Sequence, residues 1–270
     1  MGERGPGGTP GDGLDPLTLE LLANRLEEAV REMQAAIFRT GYSTIIREAK
    51  DTSAAVATRE GDVVTQRALH NGIHLGVFPP AVEAVLERFP ADEIRAGDVF
   101  VTNDPYAGAS PHSPDLIVLN PVVRGGRLVA WTLNIAHKPD LGGLVPGTSS
   151  GEARELYHEG LQLPPVRYER EGEPVEEIAR VIRNNSRLPD LTLGDVRGQV
   201  GCTSLGARRL KALFDEHGTE TVLTAFDRLL DSAERRLRER LRDWPATTGR
   251  AEGFMDAPYD RERWRPELGE

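Results

Sequence analysis

The first strong pattern along this chain is helical. Leu19, Leu22, Leu26, Ala29, Val30, Met33 and Ile37 recur at three- and four-residue spacing, which predicts one apolar stripe on an amphipathic helix over 16–40. Asp15 precedes it as an N-cap, Pro16 fits the first turn because its missing N–H would have no helical partner there, and Gly41 marks the end. The period then shortens. Residues 53–58 and 63–66, separated by a turn containing Gly61, read as a β-hairpin. Pro79-Pro80 opens a helix over 79–89 with Val82, Val85 and Leu86 facing inward.

Residues 98–102 form a short predicted strand that runs into the Asn103-Asp-Pro turn. The continuous apolar run 116–120 predicts a buried strand, Arg124-Gly-Gly-Arg127 a hairpin turn, and 128–135 the returning strand. From 139 to 168 the chain is rich in Gly, Pro and Ser and reads as a long functional loop or lid. Helical patterning resumes near 174–184, again over 194–214, and most strongly over 221–242, where Trp244-Pro245 stops it. Residues 1–14 are expected to be a disordered arm and 246–270 an irregular tail around one domain, 15–245. The expected fold is α+β: an antiparallel sheet with packed amphipathic helices, those over 16–40 and 221–242 lying on the sheet or at a subunit interface.

Composition narrows the function classes. Lys and Arg total 33 against 43 Asp and Glu, a formal net charge of -10, which argues against nucleic acid and against an anionic membrane as partners. No run of about 18 apolar residues is present. The single cysteine, Cys202, excludes an internal disulfide and a cysteine-rich zinc site and reads as a small buried filler. A cytoplasmic protein is expected.

The chemistry concentrates around a few histidines. The segments Pro111-His-Ser-Pro-Asp115 and Asn134-Ile-Ala-His-Lys-Pro-Asp140 bracket the predicted 116–135 hairpin. Antiparallel pairing returns the chain to the edge it left, so His112 and Asp115 should lie beside His137 and Asp140. Two imidazoles with one or two carboxylates suit a borderline divalent ion with positions left open for water or substrate. The spacing alone leaves a metal site and an ordinary set of turn polars as two open readings. His74 could reach the same place, in a structural role or as part of the site.

A set of ordered blocks shifts the balance toward the first. Arg47-Glu-Ala-Lys-Asp-Thr-Ser53, Gly61-Asp-Val-Val64, His74-Leu-Gly76, Asn103-Asp-Pro-Tyr106, His112-x-x-Asp115, Ala136-His-Lys-Pro-Asp-Leu-Gly-Gly143, Glu159-Gly-Leu-Gln-Leu-Pro-Pro165, Asn184-Asn-Ser-Arg-Leu-Pro-Asp190 and Gly194-Asp195 resemble, in order, the amino-terminal half of the hydantoinase B/oxoprolinase family. That family includes N-methylhydantoinases, 5-oxoprolinases, caprolactamase and the acetone and acetophenone carboxylases. The resemblance implies a divalent metal (zinc, manganese or iron) at His112, Asp115 and His137, with Asp51 as a further carboxylate. Asp104 or Asp140 would orient an imidazole or take a proton from bound water.

The resemblance also implies a hydantoinase A-type partner subunit that binds ATP, and cyclic-amide hydrolysis as the activity. The alternatives are a carboxylase subunit and a non-catalytic assembly subunit of such a complex. Two departures stand out. Many relatives carry a second histidine where this chain has Lys138, and family members run to about twice this length, so the chain reads either as a split subunit completed by another chain or as a truncated paralogue.

Overall fold

A computed structural model of the chain describes residues 14–68, 72–74, 76–147, 150–245 and 248–253. The expected arm lies outside these residues apart from Leu14, and the expected tail is described only as exposed coil over 248–253.

Seven strands form one antiparallel sheet: β1 (Thr52–Thr58), β2 (Val63–Ala68), β3 (Val99–Thr102), β4 (Asp115–Arg124), β5 (Arg127–His137), β6 (Val166–Arg170) and β7 (Glu173–Pro174), in the spatial order β2-β1-β5-β4-β3-β6-β7. The longest pairing joins β4 to β5 through Gly125 and Gly126, both at positive φ as a tight hairpin turn requires. Together with the helices below, this is the α+β arrangement expected.

Helices cover both faces. On one side lie α1 (Pro16–Thr40), the long α5 (Pro189–His217) and the start of α6 (Thr219–Arg242). Leu22, Leu26, Met33 and Ile37 of α1 pack there with Leu210 and Phe214 of α5 and with Ala54, Val56, Ala130 and Ala136 of the sheet. On the other side α3 (Phe78–Arg88) places Phe78, Val82 and Val85 against Phe100, Ile117, Trp131, Leu133 and Ile135. A third cluster joins β3 and β4 to α4 (Glu176–Asn185) and the first half of α5. With helices on both faces, β1 is buried along its whole length, which is why it reads as a run of small apolar residues without polar alternation.

Four departures from the sequence reading have local causes. Thr44–Arg47 forms a one-turn helix, α2, capped by Ser43. The long loop ends early, at β6, an edge strand whose thin apolar pattern hides it. α5 begins at Pro189 rather than 194, because Pro189 fits a first turn and the following glycines serve packing. A Cβ on Gly194 would stand 2.4 Å from the Tyr42 ring, and one on Gly206 would strike Met33.

The fourth departure concerns α6, which buries Val222, Ala225 and Phe226 and packs Leu223 and Leu229 in part, while Leu237 and Leu241 remain 60% and 47% exposed. Gly41 ends α1 as expected, but for want of space rather than for left-handed backbone: its φ is -62°, and a Cβ would meet Ile46 at 2.6 Å.

This division of α6 is testable by urea unfolding. Leu26→Ala should cost about 2–5 kcal/mol, the range for emptying a closed core position. Leu237→Ala should fall within about 0.5 kcal/mol of the parent, as exposed sites do. A comparable loss at both positions would show that distal α6 packs in the folded chain.

Candidate metal centre

Register places the site. Asp115 and His137 are directly opposed across the β4–β5 ladder. Thr52 pairs with Ala136, so the residue before Thr52 falls opposite His137, and the His137 amide donates to the Asp51 carbonyl. Asp51, His137 and Asp115 therefore form a row across three neighbouring strand ends, and alternation sends all three side chains to the α3 face. His112 joins from the loop before β4. That loop is folded tightly: the Ser110 hydroxyl lies against the carbonyls of both His112 and Asp115, and the Asp115 amide donates to His112.

The donor atoms converge. His112 Nε2 is 2.9 Å from Asp115 Oδ2, His137 Nδ1 is 3.2 Å from Asp115 Oδ1, and His137 Nδ1 is 4.0 Å from Asp51 Oδ2. One ligand atom from each of His112, Asp115 and His137 lies within 4.8 Å of the others. Two donors sharing one divalent ion at about 2.1 Å each are separated by roughly 3–3.5 Å, a spacing close to that of both imidazoles from Asp115, whereas Asp51 stands farther off. Asp115 is 1% exposed, and its Oδ2 receives no well-formed hydrogen bond although imidazole nitrogens crowd it. A buried carboxylate oxygen in that state is the kind of atom a cation satisfies. Two imidazoles with two carboxylates also suit zinc, manganese or iron chemically.

Electrostatics agree. Burial pushes the Asp115 carboxyl up, but His112, His137 and His74 outweigh it and hold the group well below the usual carboxylate range. The same contact raises the His112 imidazole above its ordinary 6.5, with burial opposing.

The structure treats the remaining sequence candidates unequally. Asp51 reaches the edge of the cluster, 28% exposed. Asp140 is not brought into it. Its oxygens accept from the Arg187 amide, the Arg187 guanidinium and the amides of Gly142 and Gly147, pinning the 140–147 loop. Burial opposes its charge, but these hydrogen bonds hold its carboxyl low. Asp104 caps its own turn by accepting from Tyr106 and Ala107. Its neighbour Asn103 carries more of the architecture, since its side chain holds Ser113, Leu161 and Leu163 together.

Cys202 is a buried filler as expected, with burial pushing its thiol up. The Gly142-Gly143 pair serves loop packing, because a Cβ at either position would strike a carbonyl of another segment at 2.6 or 2.5 Å.

Two features escaped the sequence reading. Lys138 is fully buried, with its ammonium on the Ala136 carbonyl, and burial presses it down to about 8 against the pull of Asp195, Asp115 and Asp51. Strand parity puts it on the helix face, behind the row of donors. Asp195 in turn accepts from the amides of Tyr42 and Ser43, and so ties α5 to the segment that leads into Asp51. A groove of about 700 Å³ lies at the other end of the β4–β5 hairpin, between Arg124, Leu128 and α6, remote from these donors.

Comparison with known proteins matches this architecture. The hydantoinase B/oxoprolinase family model matches residues 15–264. The caprolactamase subunit beta of Pseudomonas jessenii is 36% identical over 233 residues, 86% of this chain and 39% of that protein. The crystal structure of the ATP-dependent caprolactamase from that organism superposes with a TM-score of 0.80 at 35% identity, over 87% of this chain and 40% of that one. The acetophenone carboxylase delta subunit of Aromatoleum aromaticum is 28% identical over 90% of this chain and 35% of that protein. This chain spans about two fifths of the length of the curated relatives it matches first.

Two of the shifted groups belong to this cluster, and each contributes to the pH profile of the metal-free chain. Asp115, held low, contributes stability that is present above its unfolded value near 3.8 and is lost as pH falls through its folded value. His112, held high, contributes stability that is full below 6.5 and is lost as pH rises through its raised value. Thermal unfolding across pH should therefore show a maximum between these limits. His112→Ala should flatten the alkaline side, and an unchanged alkaline slope in that variant would break the assignment.

Proposed function

Because this chain belongs to the hydantoinase B/oxoprolinase family, we propose that it is the metal-binding part of an ATP-dependent enzyme that opens a cyclic amide. Its metal donors are His112, Asp115, His137 and Asp51. The observation that carries the reading is Asp115: a buried, charged carboxylate with an unsatisfied oxygen, flanked by imidazoles at ligand spacing. When bound, a divalent ion supplies an acidified water and polarises the oxygen of the group under attack.

The chain's own residues set up that chemistry. Asp115 brings negative charge that burial cannot neutralise, because three histidines hold its proton off. His112 must give up its proton to serve as a donor, so loading is favoured above the range in which Asp115 keeps that imidazole charged. Ser110 and Asn103 fix the loop that delivers His112. Asp104 and Asp140 act in this reading by holding the flanking loops at 104–107 and 140–147, rather than by taking a proton.

Nucleotide chemistry belongs to a partner. The chain has no glycine-rich phosphate loop in its sequence, whereas the caprolactamase of similar fold is described as ATP-dependent. A hydantoinase A-type subunit would bind ATP and activate the amide oxygen. Similarity to an acetophenone carboxylase subunit supports a second reading, in which the same donors serve ATP-dependent carboxylation of a ketone. A non-catalytic assembly role is the third outcome.

Elemental analysis separates these. The parent chain should carry a stoichiometric zinc, manganese or iron ion, His112→Ala and His137→Ala should lose most of it, and Asp104→Asn should keep it. Stoichiometric metal in both histidine variants would remove the reading. With the partner present, ATP consumption that depends on a lactam or hydantoin supports hydrolysis. Consumption that depends on a ketone with bicarbonate supports carboxylation, and a chain without metal or turnover in any complex is an assembly subunit.

A further inference from the structure

His74 stands behind the donor cluster with a geometry that a filler would not need. It ends a single 3-10 turn, Gly72–His74, and is fully buried. Its Nδ1 is 2.8 Å from the Ser53 hydroxyl, and its Nε2 faces two carboxylates at once, 3.4 Å from Asp115 Oδ2 and 3.7 Å from Asp51 Oδ1. Its carbonyl accepts from the Gln66 side chain, so the ring is held from two directions. Ser53 sits two residues after Asp51 on the same face of β1, and one strand therefore carries both a proposed donor and the anchor of the ring behind it.

We propose that His74 is a positioning residue for the metal centre: a buried strut, locked by Ser53, that holds the carboxylates of Asp51 and Asp115 at the separation a shared ion needs. The tautomer follows from the surroundings. A nitrogen facing two carboxylates carries the proton, since a lone pair there would be repelled, and Nδ1 then accepts from the Ser53 hydroxyl. The Nε2 atom faces both carboxylates at once. His74 thus lies outside the set of mutually close donors formed by His112, Asp115 and His137, and acts through the carboxylates. Groups that orient ligating residues in this way typically change metal affinity by about 10–100-fold when removed.

The inference rests on the proposed metal site, and the experiment keeps the two apart. Affinity of the full chain for Zn²⁺ and Co²⁺ is measured by competition with a chromophoric chelator, and the Co²⁺ visible spectrum is recorded alongside. If the parent chain binds neither ion, the metal site itself fails. Given a parent that binds, His74→Ala should weaken binding about 10–100-fold. Ser53→Ala should weaken it by a smaller factor. His74→Gln, which returns an N–H near the position of Nε2, should recover most of the loss with the Co²⁺ spectrum unchanged.

Three results overturn the proposal. Affinities equal to the parent in His74→Ala and Ser53→Ala, with only the melting temperature lowered, make His74 structural. A Co²⁺ spectrum altered in His74→Gln makes it a direct ligand. A His74→Gln affinity as low as that of His74→Ala removes the donor role. Should His74→Ala fail to fold, Ser53→Ala and His74→Gln decide the matter.

Discussion

The site depends on the pairing of β4 with β5 and of β5 with β1. These two ladders align Asp115, His137 and Asp51 in one row at three strand ends and point them to one face. A slip of one residue in either ladder would send a side chain of that row through the sheet to the helix side. The register is held by what lies on each side: Trp131, Leu133 and Ile135 against α3, and Ala130 and Ala136 against α1 and α5. Hydrophobic packing on two faces therefore holds the register that buries Asp115 among three imidazoles.

Charge is balanced through the sheet as well as around the donors. Lys138 directs a buried ammonium to the helix face immediately after His137, and its neighbours in charge are Asp195, Asp115 and Asp51. Asp195 clamps the backbone of Tyr42 and Ser43, while Gly194 leaves room for the Tyr42 ring. One carboxylate thus connects α5 to the stretch that delivers Asp51. The Gly194-Asp195 pair and the Asp51 strand, far apart in the chain, belong to a single mechanical unit. A lysine beside a ligand position is compatible with metal binding because its side chain leaves on the opposite face.

The hairpin through residues 124–127 was legible because its signals are local: a continuous apolar run, a glycine pair and a return run of matching length. His112, Asp115 and His137 came with it, since an antiparallel ribbon must bring its two flanks to one end. Asp140 fails the same argument for a reason no spacing shows. Two residues past the end of β5, the chain is captured by Arg187, whose amide and guanidinium occupy the Asp140 carboxylate from another segment. The strand β6 was hidden because an edge strand with one fully buried position, Tyr168, carries little alternation. The early start of α5 was hidden because a proline reads as a helix boundary, although in a first turn its missing N–H has no helical partner to lose.

The chain by itself determined its helical and extended periods, its hairpin turn, the meeting of His112, Asp115 and His137 at the open end of that hairpin, and its membership in a family through ordered motifs. Those are properties of neighbours in sequence or of an antiparallel ribbon, whose geometry is fixed once its two runs are found. Tertiary structure alone decided that Asp51, from a different hairpin, comes within 4.0 Å of His137, that His74, from a separate turn, faces both Asp115 and Asp51, that Lys138 is buried, and that Asp140 serves a loop. Each of these turns on which distant strand or helix lies alongside, and that is settled by how three apolar clusters close over both faces of one sheet.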